Sequence, residues 1–232
     1  MCSVASYYPC VSFSRRSIIA LLSVLLLALA IAVAGYWLAS QPPPWYRPAA
    51  FDDPQSKQLG ETAEYRLVEE FQKIRPDDST WRLRIPERAI NAWLSTRLVR
   101  WMSGRGIDWP EGVGVPQVRM GSGDVTLAIP LAELGGWFGT LSMVPAFDSD
   151  ALIVETRGGL GRLPLTFASS HLQPYFNEFL GNHVDSEPLL ALLLNQSAVT
   201  GVPLADDRIV VIENITLEDG AIVLSVSTQP AQ

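Results

Sequence analysis

WRLRIPERAINAWL, residues 81–94, is the stretch that decides how the chain folds beyond its apolar N-terminus. Trp81, Leu83 and Ile85 alternate with arginines, which is typical of a half-buried strand. From Pro86 onward the apolar period changes from two to about 3.6 residues. Proline suits the first turn of a helix, because the backbone NH that it lacks would have no partner there. The stretch therefore predicts a strand that runs directly into a helix.

The predicted helix runs from Pro86 to Met102 and stops at Gly104, since glycine favours a helix end. Six large apolar residues share one of its faces: Ile90, Trp93, Leu94, Leu98, Trp101 and Met102. This face forms the core beneath a sheet, or it lines a groove for an acyl chain or an apolar peptide. For the groove, the candidate ligand-binding residues are Ile90, Trp93, Leu94, Trp101 and Trp137.

Downstream of this helix, after the loop 103–116, apolar residues alternate and predict antiparallel hairpins. Three pairs of strands are predicted: 118–120 with 125–129, 137–147 with 151–157, and 208–217 with 221–228. Each pair flanks a cluster of Gly, Asp or Ser, and the Asp219-Gly220 pair is a strong turn signal. Residues 160–165 predict a further strand that leaves the sheet.

Three helical segments complete the pattern outside the 86–102 helix. Residues 61–75 predict an amphipathic helix with Leu67, Val68, Phe71 and Ile74 on its apolar face, and residues 170–180 and 188–195 predict two shorter helices. The predicted fold class is therefore α+β: an N-terminal transmembrane helix, then a curved antiparallel sheet packed on helices.

Residues 18–38 form a run of 21 uncharged, mostly apolar residues. At about 1.5 Å per residue, a helix of this run is about 31 Å long and matches the hydrocarbon core of a bilayer. Arg15 and Arg16 precede it, and the next basic residue is Arg47. The positive-inside rule then predicts a single-pass protein of the cell membrane, with residues 1–17 cytoplasmic and the remainder extracytoplasmic (periplasmic).

A cleaved signal peptide is the alternative interpretation of this run, because Ala32-Val33-Ala34 has the small-x-small pattern that signal peptidase recognises. The apolar region of a signal peptide is usually about 7 to 15 residues long, and this run is longer. Aromatic residues also surround its far end, as they do at membrane interfaces: Tyr36, Trp37, Trp45 and Tyr46. These features favour an uncleaved anchor.

Proline-rich residues 39–58 predict an extended linker, and residues 59–232 predict one folded extracytoplasmic α+β domain. Both cysteines, Cys2 and Cys10, precede the apolar run, so the outer domain contains no disulfide. Packing alone must hold this domain together.

The part of the chain beyond Leu38 contains 15 basic and 24 acidic residues, a net charge of −9. Nucleic acid is excluded as a partner, because phosphate neutralisation needs a basic stripe and the chain has only two lysines, Lys57 and Lys73. The same charge argues against broad electrostatic adsorption of the domain on an anionic bilayer.

Motifs for catalysis and for metal binding fail on their spacing or context. Ser122 lies between two glycines in a predicted hairpin turn and lacks the G-x-S-x-G spacing of a nucleophile. His171 and His183 are twelve residues apart with no cysteine nearby, so no metal site is predicted. The acidic pairs fall in predicted turns, where Asp and Glu are solvated: Asp148 and Asp150, Asp206 and Asp207, Glu218 and Asp219. The sequence predicts no enzyme and no cofactor.

A strand ending in Ile85-Pro86-Glu87, followed by a helix that opens with Ile90-Asn91-Ala92-Trp93-Leu94, also carries a family resemblance. Taken with residues 160–165 and the closing hairpin 215–226, the chain resembles the YpmS-like family of single-pass bacterial envelope proteins. The similarity covers most of the outer domain and rests on short motifs. It implies a curved antiparallel sheet wrapped on helices and supplies no catalytic residues.

The function expected from these observations is non-enzymatic: a membrane-anchored extracytoplasmic protein that binds an apolar ligand, such as a lipid or an acyl chain. Residues 18–38 make the membrane itself a partner. The alternative is a scaffold or assembly factor that holds another envelope protein through a sheet edge or an aromatic surface.

Overall fold

A computed structural model of the chain describes residues 15–76, 79–132, 135–148, 151–163, 166–168, 201–204 and 208–230. The chain divides into two compact units, one ending at Leu38 and one beginning at Ala39. The predicted helices at 170–180 and 188–195, and both histidines, lie outside the described residues.

The first unit is built on helix α1, Arg15–Ser40. Within it, Ile18–Ser40 is a stretch of 23 mostly apolar residues, and its most apolar window of 18 residues has a mean hydropathy of 2.9 and is not buried. The helix is long and apolar enough to cross a membrane, as the sequence predicted for residues 18–38. A signal sequence near an N-terminus shares these properties.

The second unit begins with the proline-rich segment, and this segment is packed instead of extended into solvent. The Tyr46 hydroxyl donates to the Val115 carbonyl at 2.7 Å, and Arg162 Nε donates to the Pro42 carbonyl at 2.8 Å. The Tyr46 ring also meets Phe138 edge-on, with 5.0 Å between centroids. Much of the segment interpreted from sequence as a linker is therefore held against the rest of its unit.

Helix α2, Pro54–Gln72, starts where Asp53 accepts a hydrogen bond from the Ser56 NH at 2.8 Å. Its buried residue is Gly60, and the apolar face predicted from sequence is largely open. The exposed fractions are 38% for Leu67, 46% for Val68 and 89% for Ile74. The predicted face was wrong because α2 packs on the next helix through its glycine and ends before Ile74.

Strand β1, Thr80–Pro86, runs directly into helix α3, Glu87–Thr96, as the sequence predicted. The single helix predicted to Met102 is instead two, because the backbone leaves helical geometry at Arg97 (φ −123°) and α4 spans Leu98–Ser103. The second helix ends just before Gly104, at the predicted stop.

The buried face of α3 consists of small residues, namely Ala89, Ala92, Ser95 and Thr96. A side chain at Gly60 of α2 would bring its Cβ within 3.1 Å of Thr96 Oγ1 and 3.2 Å of the Trp93 Cα. The two helices therefore approach closely, which only small side chains permit. The large apolar residues predicted to form the core were displaced from this contact.

The strands form two antiparallel sheets where the sequence suggested one. The first sheet has the order β1-β9-β8-β7, with β7 at Gly201–Pro203, β8 at Arg208–Glu218 and β9 at Ala221–Pro230. The second sheet runs in chain order through β2 at Gln117–Met120, β3 at Val125–Leu131, β4 at Trp137–Asp148, β5 at Ala151–Leu160 and β6 at Thr166–Ala168. All three predicted hairpins and the α+β class are confirmed.

The core of the second unit is aliphatic. Its largest fully buried side chains, Val210, Val226 and Thr228, lie on the central strands of the first sheet. Leu141, Leu152 and Val154 are buried in the second sheet. The indoles of α3 and α4 are absent from this buried set, so they are available to form a surface.

Candidate functional site

Two of the five candidate residues meet across the break between α3 and α4. The Trp93 and Trp101 rings lie edge to face, with 6.0 Å between centroids and 70° between planes. This is a favoured geometry for aromatic pairs and contributes about 0.5–1.5 kcal/mol beyond area burial. The bend at Arg97 brings the two indoles together.

A hydrogen-bonded group on α2 fixes the Trp93 side of this pair. Trp93 Nε1 donates to Glu64 Oε2 at 3.0 Å, and Arg97 Nε donates to the same oxygen at 2.6 Å. Arg97 also pairs with Glu61 at 3.0 Å. The Arg97 hydrogen bond lowers the pKa of Glu64, and the Glu64 carboxylate raises the pKa of Arg97. Trp93 is thus half-buried and anchored by its polar edge.

Trp101 is open by comparison. It is 41% exposed, and the Arg105 guanidinium lies 3.8 Å from its ring centroid. Arg100 is exposed, and Val99 is 43% exposed. We call these four side chains, Val99, Arg100, Trp101 and Arg105, the Trp101 surface. It presents an aromatic ring, an aliphatic group and two guanidinium groups to a ligand or partner.

Exposed residues of α2 adjoin this region. Tyr65 is 73% exposed and lies close enough to Arg97 to contribute to its raised pKa. Val68, one helical turn further along α2, is 46% exposed. Tyr65 and Val68 are therefore further exposed side chains on the helix that packs against α3.

The other three candidates lie on α3 and at the start of β4. Ile90 and Leu94 are half-buried on α3. Trp137 opens strand β4, where its backbone neighbour is Leu131 of β3. The sequence grouped five residues by hydrophobicity, and the structure joins Trp93 with Trp101 directly.

A polar stripe on α3 was missed by the sequence analysis. Glu87, Asn91 and Ser95 recur every four residues and face the outer edge of β2. Glu87 Oε2 accepts from the Met120 NH at 2.7 Å, and Ser95 Oγ accepts from Gln117 Nε2 at 2.9 Å. The sequence signal for this stripe was the four-residue spacing of polar residues among apolar ones. Their role is to supply partners for an edge strand.

Two further polar clusters within the described residues are engaged in local structure. Asp124 accepts from Thr126 Oγ1 at 2.8 Å and from Ser142 Oγ at 3.0 Å, and Glu218 pairs with Arg84 at 3.1 Å. In the parts of the chain that the structure describes, no group of three or more His, Cys, Asp or Glu residues is arranged to hold a metal ion. The arrangement suits binding by contact and stacking.

Comparisons with protein-family models, with curated proteins and with solved structures find no match to this chain.

Proposed function

We propose that this chain is a single-pass, membrane-anchored protein whose extracytoplasmic domain binds lipid through the Trp101 surface without catalysing a reaction. The observation that carries the proposal is the 41% exposure of the Trp101 ring beside a half-buried indole. A large apolar ring left open in a domain that buries smaller aliphatic residues has a cost in water, which contact with an apolar ligand removes.

The anchoring part of the proposal rests on α1 and its flanking charges. Ile18–Ser40 is long enough to span a bilayer, and Arg15 and Arg16 precede it. By the positive-inside rule, the second unit then lies outside the cytoplasm. A phosphatase fused after Gln232 should be active, and a fluorescent protein that matures only in the cytoplasm should be dark there. The reverse result would overturn the orientation.

The lipid-contacting part rests on the chemistry of the exposed side chains. Tryptophan favours the membrane–water interface, because its ring is apolar and its NH can reach polar groups. Arginine extends an apolar stem toward lipid and keeps its charge among headgroups. Val99, Trp101 and Arg105 combine these properties within seven residues of chain.

Photo-crosslinking in native membranes tests this contact. The photoreactive amino acid benzoylphenylalanine replaces Trp101 in the full-length chain, so that an aromatic ring remains at the site. After illumination, mass spectrometry should find lipid adducts on peptides that contain position 101. The same amino acid at Thr216, an exposed position on β8, serves as the control and should give none. Absence of lipid adducts at position 101 would overturn the proposal.

A scaffold that holds another envelope protein is the second candidate, and exposed Tyr65 is the observation that favours it. Tryptophan, tyrosine and arginine are enriched in the energetic centres of protein interfaces, and all three occur along the α2–α4 face. Adducts to one specific protein at both Trp101 and Tyr65, with no lipid adduct, would favour this alternative over lipid binding.

A further inference from the structure

The clearest departure from the overall charge of the outer part lies in residues 97–105, RLVRWMSGR. This segment contains three arginines and no acidic residue, whereas the chain beyond Leu38 carries a net charge of −9. Arg97 is neutralised by Glu61 and Glu64. Among the described residues, no carboxylate forms an ion pair with Arg100 or Arg105. The positive charges of Arg100 and Arg105 therefore remain available to a ligand.

One of these charges lies over the exposed indole, and the other is carried by the preceding residue of α4. Arg105 lies over the Trp101 ring, with its guanidinium carbon 3.8 Å from the centroid, and Arg100 is the adjacent residue in α4. A guanidinium binds phosphate oxygens through paired NH donors. An indole occupies the layer just below, where headgroups meet acyl chains. The Trp101 surface thus has the two parts needed to recognise a lipid phosphate group.

We infer that the Trp101 surface selects anionic phospholipid headgroups, with Arg100 and Arg105 binding the negative charge and Trp101 entering the interface. The inference rests on the lipid contact proposed above and adds its headgroup chemistry. The rest of the domain carries a net negative charge, which an anionic bilayer repels. The Trp101 surface differs from other exposed arginines, such as Arg66 and Arg119, because a guanidinium lies on an exposed indole.

The attachment of the outer unit to the candidate span makes this binding attainable. The unit begins at Ala39, at the end of the candidate span, and within the unit Pro42 and Tyr46 are hydrogen-bonded to Arg162 and Val115. A unit of this size has a radius of gyration of about 16 Å. When the span lies in a bilayer, the covalent connection keeps the outer unit near headgroups, so weak lipid binding is favoured by a high effective concentration.

The test uses the full-length chain with Cys2 and Cys10 replaced by serine and a nitroxide label at Ser103→Cys, the exposed last residue of α4. The protein is reconstituted in vesicles of phosphatidylcholine alone or of equimolar phosphatidylcholine and phosphatidylglycerol. Protection of the label from a water-soluble nickel relaxation agent reports burial in the interface. We expect protection in the mixed vesicles and little in the neutral ones.

Substitution of the arginines separates charge selection from general lipid contact. Arg100→Gln and Arg105→Gln should each reduce the ratio of protected to aqueous label about fivefold in the mixed vesicles. Arg119→Gln, at an exposed position on β2, is the matched control and should leave the ratio unchanged. Circular dichroism of each variant verifies that the fold is retained.

The possible outcomes distinguish headgroup selection from general lipid contact. Equal protection in both vesicle types, unaffected by the arginine substitutions, overturns headgroup selection and leaves the proposed lipid contact standing. An aqueous label in both vesicle types overturns headgroup selection as well as lipid contact at this surface. If, in addition, position 101 crosslinks to a protein and not to lipid in native membranes, the partner of this surface is a protein and the inferred headgroup binding fails.

Discussion

The side-chain amide of Asn91 pairs with both backbone groups of Val118, donating from Nδ2 to the carbonyl and accepting at Oδ1 from the NH, each at 2.7 Å. Strand β2 is the outer strand of its sheet, and these groups point away from β3. Exposed backbone groups of an edge strand invite wrong pairing, and buried ones without partners are costly. Asn91 takes the place that a neighbouring strand would occupy.

Asn91→Ala should lower the free energy of unfolding by about 1–3 kcal/mol, because a buried donor and acceptor of Val118 lose their partners. Gln58→Ala, an exposed amide on α2, is the matched control and should change it by less than about 0.5 kcal/mol. Urea denaturation of the detergent-solubilised chain measures both. Equal stability of the two variants would show that Asn91 does not support the strand edge.

The contact between α2 and α3 makes a second prediction at Gly60. A Cβ at this position would approach backbone atoms of Trp93 and Ala92 at 3.2 and 3.3 Å. Gly60→Leu should therefore destabilise the chain by about 1–3 kcal/mol through overpacking. Gln58→Leu adds the same side chain at an exposed position of the same helix and should be close to neutral. Similar denaturation midpoints for both variants would contradict the close helix approach.

The unequal burial of the two paired indoles makes a third prediction. Trp93→Ala removes a half-buried ring and its hydrogen bond to Glu64, so it should lower the free energy of unfolding by at least about 2 kcal/mol. This loss is smaller than the roughly 3–5 kcal/mol expected for a fully buried aromatic residue. Trp101→Ala should cost less than about 1 kcal/mol. Thermal unfolding of the two variants shows which substitution causes the larger loss of stability. A larger loss at Trp101 would mean that this ring belongs to the core.

The Glu64–Arg97 pair makes a prediction for acid stability. Arg97 lowers the pKa of Glu64 below its ordinary value of 4.5, so this carboxylate stabilises the folded state fully at pH values above 4.5. It is lost as the pH falls through the lower pKa of the folded state. Because Glu64 is partly exposed, the loss should stay below about 1 kcal/mol.

Denaturation at several pH values between about 7 and 3 measures this loss. Glu64→Gln should be less stable than the parent near neutral pH, and the difference should shrink as the solution becomes acidic. Glu213→Gln, at an exposed position on β8, is the matched control and should be as stable as the parent near neutral pH. A constant difference across the range would mean that the Glu64 carboxylate does not favour its charged form in the folded chain.

The amino-acid sequence by itself determined the features that depend on neighbours along the chain. An uninterrupted apolar run defined α1, and alternating residues around Gly and Asp turns defined the three hairpins. The change of period at Pro86 located the passage from β1 to α3. Turn conformation and side-chain periodicity are local properties, so they can be read without knowing the partner.

Tertiary structure decided which residues of each helix are buried. Two faces of α3 carried plausible signals, one of large apolar residues and one of small and polar residues. Gly60 on α2 and the unpaired edge of β2 selected the second, because close helix contact needs small side chains and an edge strand needs hydrogen-bond partners. That choice, with the bend at Arg97, left Trp101 exposed, with Arg105 over its ring. Such a choice depends on elements distant in the chain, so periodicity alone could not make it.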